Sequence, residues 1–203
     1  MKYDPENKPP LRISHIVYGR QSDGNRVRYL VDPKGLGDDL KIPEMVVLKR
    51  WRQRVFKGHS FSGVRLSPTV WRAWSIAFGR DDVSAMTAEE ISARRIAAKP
   101  KLSSGYLSLP TNACIQALAV YCKPPGINAL VDRHNSPEHQ GKSGVPDLFL
   151  YAINNQTKRL SIARFVEVKK PEEPVSKDQR EEIKFLQDLG LHARVLRLIE
   201  RKH

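Results

Sequence analysis

Two apolar runs near the end of the chain, residues 161–169 and 192–199, flank a segment whose start and stop are both marked. Ser176 and Gln179 stand at capping-box spacing, so each side chain can satisfy a backbone N–H left open in a first helical turn. Gly190 suits the positive φ at which helices end. Between them Ile183, Leu186 and Leu189 recur on one face. Two strands joined by such a helix lie parallel in one sheet with a right-handed crossover. This unit places the chain in the mixed α/β (α+β) class.

The segments before it extend the pattern. Residues 110–123 predict a helix stopped by Pro124, Pro125 and Gly126, and 127–134 predict a strand. After a polar loop at 135–144, strands at 147–153 and 161–169 are joined through the turn-forming "NNQTK". The order in this half is helix, two or three strands, helix, strand.

The first half differs. Residues 1–10 carry three prolines and predict a loose arm, and 11–19 and 26–32 predict a hairpin around "RQSDGN". A helix is expected over 43–57, from Pro43 to a stop at Gly58. A second spans 67–79, with Ser67 as cap and Gly79 as stop. Its Trp71, Trp74 and Phe78 share one face, a spacing that suits a core better than a base-stacking platform. A third covers 87–99, opened by the capping box Thr87-x-x-Glu90. "PKLSSG" at 100–105 predicts a linker. The expected division is a basic, mostly helical accessory domain at 1–105 and a second domain at 106–203.

Charge narrows the partners. Thirty-five Lys and Arg against 22 Asp and Glu leave a net +13, an excess that favours a polyanion such as nucleic acid. No run approaches the roughly 20 apolar residues of a membrane helix, and the first residues lack the apolar core of a secretory signal. A cytoplasmic setting is expected, with delivery into a target cell as the other route. Cys114 and Cys122 both fall in or beside an apolar segment and predict buried thiols.

Chemistry concentrates in "VPDLFLYAINNQTKRLSIARFVEVKKP", from Val145 to Pro171. Alternation along 162–169 puts Glu167 and Lys169 on one face, about 7 Å apart. A hairpin partner opening at Asp147 can bring a second carboxylate beside them. Two carboxylates in a low-dielectric setting repel unless a cation lies between them, and hard oxygen donors favour Mg²⁺ or Mn²⁺. A lysine there can orient water or neutralise charge on a phosphate. An isolated E-x-K pair is usually a plain salt bridge. The P-D step, the E-V-K strand and the basic chain together raise this one above that.

From Gly144 to Leu198, "GVPDLFL…FVEVKKPEEPVSKDQREEIKFLQDLGLHARVLRL" resembles the VRR-NUC family of PD-(D/E)XK nucleases. The likeness implies a restriction-endonuclease-like αβββαβ core. It implies that Asp147, Glu167 and the Val168 carbonyl bind Mg²⁺ or Mn²⁺, that Lys169 is the catalytic lysine, and that Gln179 lies near the site. Gln179 serves equally well as a helix cap. The family usually carries an acidic residue on the first core helix. Helix 110–123 offers only Asn112 and Gln116, so either the metal site is leaner, or the carboxylate comes from elsewhere, with Asp132 and Glu138 as candidates, or the activity is reduced.

The resemblance further implies a metal-dependent DNA endonuclease. It is either an antibacterial DNase toxin held off by an acidic immunity protein, or a repair or recombination nuclease specific for DNA structure. An inactive DNA-binding module that keeps the fold is the alternative. DNA contacts are expected from Arg50, Arg54 and Lys57 on one helical face, and from His139, Lys142 and Lys170. A solvated basic face explains the first three nearly as well. His134 and His139 lack the second ligand pair of a zinc site and are expected to be loop histidines.

Overall fold

The computed structural model describes residues 21–23, 26–30, 40–103, 107–139, 144–170 and 173–198. The expected strand at 11–19 and the arm at 1–10 lie outside them. A small sheet holds β1 (Gln21–Asp23), β2 (Arg26–Leu30) and β3 (Leu40–Lys41) in that order. Helix α1 (Pro43–Arg52) follows, with Pro43 at its first position, where the missing N–H costs nothing.

The main sheet is β4 (His59–Arg65), β5 (Leu148–Asn154), β6 (Leu160–Lys169) and β7 (Ala193–Arg197), in that order. β4–β5 and β5–β6 are antiparallel, and β6–β7 is parallel. Helix α5 (Lys177–Asp188) links the parallel pair, as the caps required. Ser176 Oγ accepts from the Gln179 N–H at 3.2 Å, and the Gln179 side-chain oxygen accepts from the Ser176 N–H at 2.9 Å.

Between β4 and β5 the chain inserts α2 (Thr69–Phe78), α3 (Ala88–Ser103) and α4 (Asn112–Asn135). Trp71, Trp74 and Phe78 of α2 are buried core, as their spacing predicts. Thr87 and Glu90 form the expected capping box at the start of α3. That helix then runs through Pro100 to Ser103, so residues 100–103 of the expected linker are helical.

Two faces of the sheet carry separate apolar layers. One joins Val46, Val47, Leu48 and Trp51 of α1 to Leu148, Leu150, Val166, Val168 and Leu196. The other joins α2, α4 and α5 to Phe149, Tyr151 and Phe165. The alternation along β5 and β6 decides which residue faces which layer. α1, β4, β5, β6, α5 and β7 therefore make the expected αβββαβ core, with α2–α4 as an insertion after its first strand.

Three expectations change. α1 ends at Arg52, with Gln53 at its cap, so Arg54 and Lys57 lie beyond the helix and do not complete a face with Arg50. Residues 127–134 are helix, because Pro124 and Pro125 open a new helical turn after Lys123 (φ 58) breaks the first. The pattern that reads as a strand there is helical in fact: Ile127, Leu130 and Val131 are buried at i, i+3 and i+4. Finally, β4 and α1 fall within the segment expected to form an accessory domain, yet they build the same sheet and core as residues beyond 105.

Candidate active site

Asp147 immediately precedes β5, and its carbonyl accepts from the Leu66 N–H at 2.8 Å just after β4. Its side chain reaches across to β6, where Oδ2 accepts from the Val168 N–H at 2.8 Å. That bond fixes Asp147 against the middle residue of the E-V-K stretch. Glu167 and Lys169 lie on either side of Val168, both buried, at 2% and 4% exposure. Their side chains meet, Lys169 Nζ to Glu167 Oε1 at 3.1 Å. Strand pleating is the reason: residues two apart share a face.

Further side chains hold this pair. Gln179 Nε2 donates to Glu167 Oε1, while its oxygen caps α5 as described above, so both roles that the sequence allows are filled at once. Lys169 Nζ also donates to Glu173 Oε1 at 3.2 Å. Glu173 Oε2 accepts from the Lys170 N–H at 3.1 Å. The Arg197 guanidinium pins this turn by donating to the Glu173 carbonyl at 2.6 Å.

The electrostatics follow from burial. Loss of water around Glu167, with Asp147 as a second negative charge, pushes its carboxyl up to about 7 against the Lys169 contacts. Asp147 is raised as well. Burial is the main cause, the Val168 N–H opposes it, and the Glu44 charge adds to it. Burial works against the Lys169 ammonium, but Glu167 and Glu173 outweigh it and raise its pKa. The lysine is thus held protonated, while the carboxylates stay ionised only at a cost.

Such a site suits a cation. Two carboxylates that repel, each with one oxygen engaged by an N–H donor, present hard donors that a divalent ion would relieve. Among the described residues no three His, Cys, Asp or Glu side chains come close enough to hold a metal by themselves, so a backbone oxygen such as that of Val168 would have to contribute.

Glu44 escaped the sequence reading. It lies in the first turn of α1, the first helix of the core, where an acidic residue was sought on 110–123. The misplacement came from taking α4 as the first core helix. Asp132 instead pairs with Arg80 at 2.6 Å on the surface, and Glu138 is exposed in the short turn Pro137–His139. Neither is among the charges acting on Asp147.

Glu182 was missed too. It is 2% exposed on α5, one turn after Gln179. Arg133 Nε and His134 Nε2 reach it at 2.7 and 2.8 Å, and the His134 ring stacks on Trp71 with centroids 6.3 Å apart. His134 is therefore a buried helix-end residue rather than a loop histidine. His139 Nδ1 contacts Ser136 Oγ at 3.0 Å. Lys170 is exposed beside Lys169. Arg50 lies in the last turn of α1, away from Glu44, Arg54 and Lys57 lie beyond that helix, and Lys142 lies outside the described residues.

The model of the VRR-NUC domain family matches residues 86–198. A comparison with curated proteins gives no match. Among solved structures the chain is similar to paFAN1 bound to a 5′-flap DNA with gap, in two forms. With the 2-nucleotide flap the identity is 16% and the TM-score 0.45, covering 79% of this chain and 35% of that one. With the 1-nucleotide flap the values are 17% and 0.39, with the same coverage of 79% and 35%. The chain spans about a third of the length of those proteins.

Proposed function

The chain belongs to the VRR-NUC family, a PD-(D/E)XK-type nuclease domain, and on that premise we propose that it is a metal-dependent DNA endonuclease acting at Asp147, Glu167 and Lys169. The observation that carries the reading is the meeting of these three side chains across β5 and β6, with Glu167 and Lys169 buried together. Membership gives a nuclease-type domain; DNA as its substrate, the metal and the residue roles are our reading.

Asp147, Glu167 and the Val168 carbonyl would hold Mg²⁺ or Mn²⁺. When bound, such an ion polarises a phosphodiester and lowers the pKa of attacking water. Gln179 and Lys169 both engage Glu167 Oε1, which leaves Oε2 for the cation. Lys169 is held as an ammonium, so it serves by donating hydrogen bonds to water or a phosphate oxygen and by countering negative charge, rather than as a general base. Glu173 Oε1 accepts from the same ammonium at 3.2 Å and helps to keep it in place. Glu44 adds negative charge toward the same position. The reading as an inert DNA-binding module rested on a first helix without a carboxylate, and Glu44 on α1 removes that ground.

Our finer choice is a structure-specific nuclease of repair or recombination rather than a toxin held off by an acidic immunity protein. Supercoiled plasmid incubated with Mg²⁺, Mn²⁺ or EDTA tests the chemistry. Nicking that needs the ion and is lost in Asp147→Ala and Lys169→Ala is expected. Cleavage that survives in EDTA or in both variants would overturn the assignment. Faster cleavage of flaps and junctions than of plain duplex is expected, and equal rates with strong toxicity in bacteria would favour the toxin.

A further inference from the structure

Three arginines gather at the end of the sheet away from the catalytic carboxylates. Val166 pairs with Arg194 in register, so Arg164 and Arg194 share the α1 face of β6 and β7. Arg54 follows the C-terminal end of α1. Its guanidinium carbon lies 5.2 Å from the Trp51 ring centre and 5.7 Å from that of Phe61. The Arg164 guanidinium carbon also lies 5.2 Å from the Trp51 ring centre. One such contact is ordinary; two cations on one ring, with a third beside them, repel each other.

Among the described residues no carboxylate offsets that repulsion; Tyr121 opposes it at Arg164. Arg194 Nε is out of contact with water and has no hydrogen-bond partner, an arrangement that costs free energy. Burial first, then Arg164 and Arg54, push Arg194 down to about 10. Arg164 is lowered by burial and Arg54 in the same way, and no carboxylate acts on either residue. Trp51 does not need them for its own N–H, which reaches the carbonyls of Ser62 and Tyr151 at 2.8 and 3.1 Å.

Beside them is room for a ligand. β7 pairs with β6 only from Phe165 onward, so the edge of β6 before that residue is left open by β7. A cleft of about 790 Å³ runs along it, with Arg164, Arg194, Ser161, Gln187 and His192 in its walls. An oxyanion entering there would meet guanidinium donors that fork toward paired oxygens.

We propose that Arg54, Arg164 and Arg194 form a second anion site, separate from the catalytic centre, that grips the phosphates of a DNA strand. The identification of that strand as DNA rests on the nuclease reading; the anion chemistry does not. A strand is favoured over a free phosphate because the cleft is open and far larger than one phosphate needs, and because the chain carries net charge +13. Arg164 lies three residues before Glu167, about 10 Å along the strand, and on the other face. The contact therefore positions the substrate without touching the bond that is cut.

The test is anisotropy of a labelled duplex in EDTA across a NaCl series, using the full chain. Removing one arginine–phosphate contact lowers the slope of log affinity against log salt by about 0.9. Arg164→Gln with Arg194→Gln should lower it by about 2 and weaken binding at least tenfold at low salt. Exposed Arg54→Gln should lower it by about 1. Arg164→Lys with Arg194→Lys should restore the slope, which also settles the matter if the Gln pair does not fold. An unchanged slope in Arg54→Gln and in the Gln pair overturns the proposal. So does thermal protection by inorganic pyrophosphate that the Gln pair abolishes while the DNA slope stays the same, since the site then holds a small anion. Asp147→Ala should keep the slope and lose cleavage; a wild type that cuts no DNA with Mg²⁺ or Mn²⁺ sinks the nuclease reading while leaving the slope result to stand by itself.

Discussion

Replacing Glu167 by Gln should make the metal-free protein more stable at pH 8 while abolishing cleavage. Glu167 has its carboxyl raised from the ordinary 4.5 to about 7. At about 1.36 kcal/mol per pH unit, keeping it ionised in the folded state costs on the order of 3 kcal/mol. The help that Lys169 gives is already contained in that figure, because it opposes the rise. The sign follows from linkage. A raised folded pKa contributes stability that is fully present below the unfolded value near 4.5 and is lost as pH rises through about 7. Gln carries no such proton, still accepts from Gln179, and leaves Lys169 its contact with Glu173 at 3.2 Å. Thermal melts in EDTA at pH 5 and pH 8 read the effect. The variant should melt roughly 5–10 °C above wild type at pH 8 for a chain of this size, with a much smaller gap at pH 5. A divalent ion should stabilise wild type and leave the variant unmoved. A variant that melts lower than wild type at pH 8, or a gap that does not change with pH, would refute the reasoning.

Three further outcomes are expected. Glu182→Ala strands Arg133 and His134 beside a buried hole and should cost about 2–4 kcal/mol, read by urea unfolding; an unchanged midpoint would show that the cluster does not brace α4 against α5. In wild type the bonds from His134 and Arg133 overcome burial and hold Glu182 below its ordinary range, so its contribution is present above about 4.5 and fades as pH falls through the lowered value. Glu44→Gln removes a charge facing Asp147 and should raise the half-saturating concentration of divalent ion roughly threefold to tenfold, with no change if Glu44 plays no part. Gly144→Ala places a methyl 2.9 Å from the Asp178 carbonyl oxygen; a loss of about 1–3 kcal/mol and slower cleavage should appear together, because α5 carries Gln179.

Where the local code was strong, the sequence was readable. Capping boxes at Thr87 and Ser176 satisfy backbone groups within four residues, so they name helix starts without help from the rest of the chain. The E-V-K alternation likewise fixes which side chains share a face. The reading failed where the answer depended on distant partners. "HSFSGVR" has little apolar content and no regular alternation, yet it is β4, because β5 offers it seven register partners. "INALVDRH" fits a strand or a helix by composition; two prolines at a helix start decided it. Glu44 could be recognised only once α1 was seen against the sheet, since nothing near it in sequence carries chemistry. A search for an acidic residue on every amphipathic helix before the first strand would have found it.

The insertion of α2–α4 has a consequence for how the chain is made. His59 pairs with Asn154 and Arg65 with Leu148, so β4 leaves the ribosome more than eighty residues ahead of the strand that completes it. Throughout that interval Val46, Val47, Leu48 and Trp51 lack the side chains of Leu148, Leu150, Val166, Val168 and Leu196 that cover them in the finished fold. The nascent front half is therefore a greasy, half-built layer in need of shelter, and the whole sandwich closes in one late, long-range step.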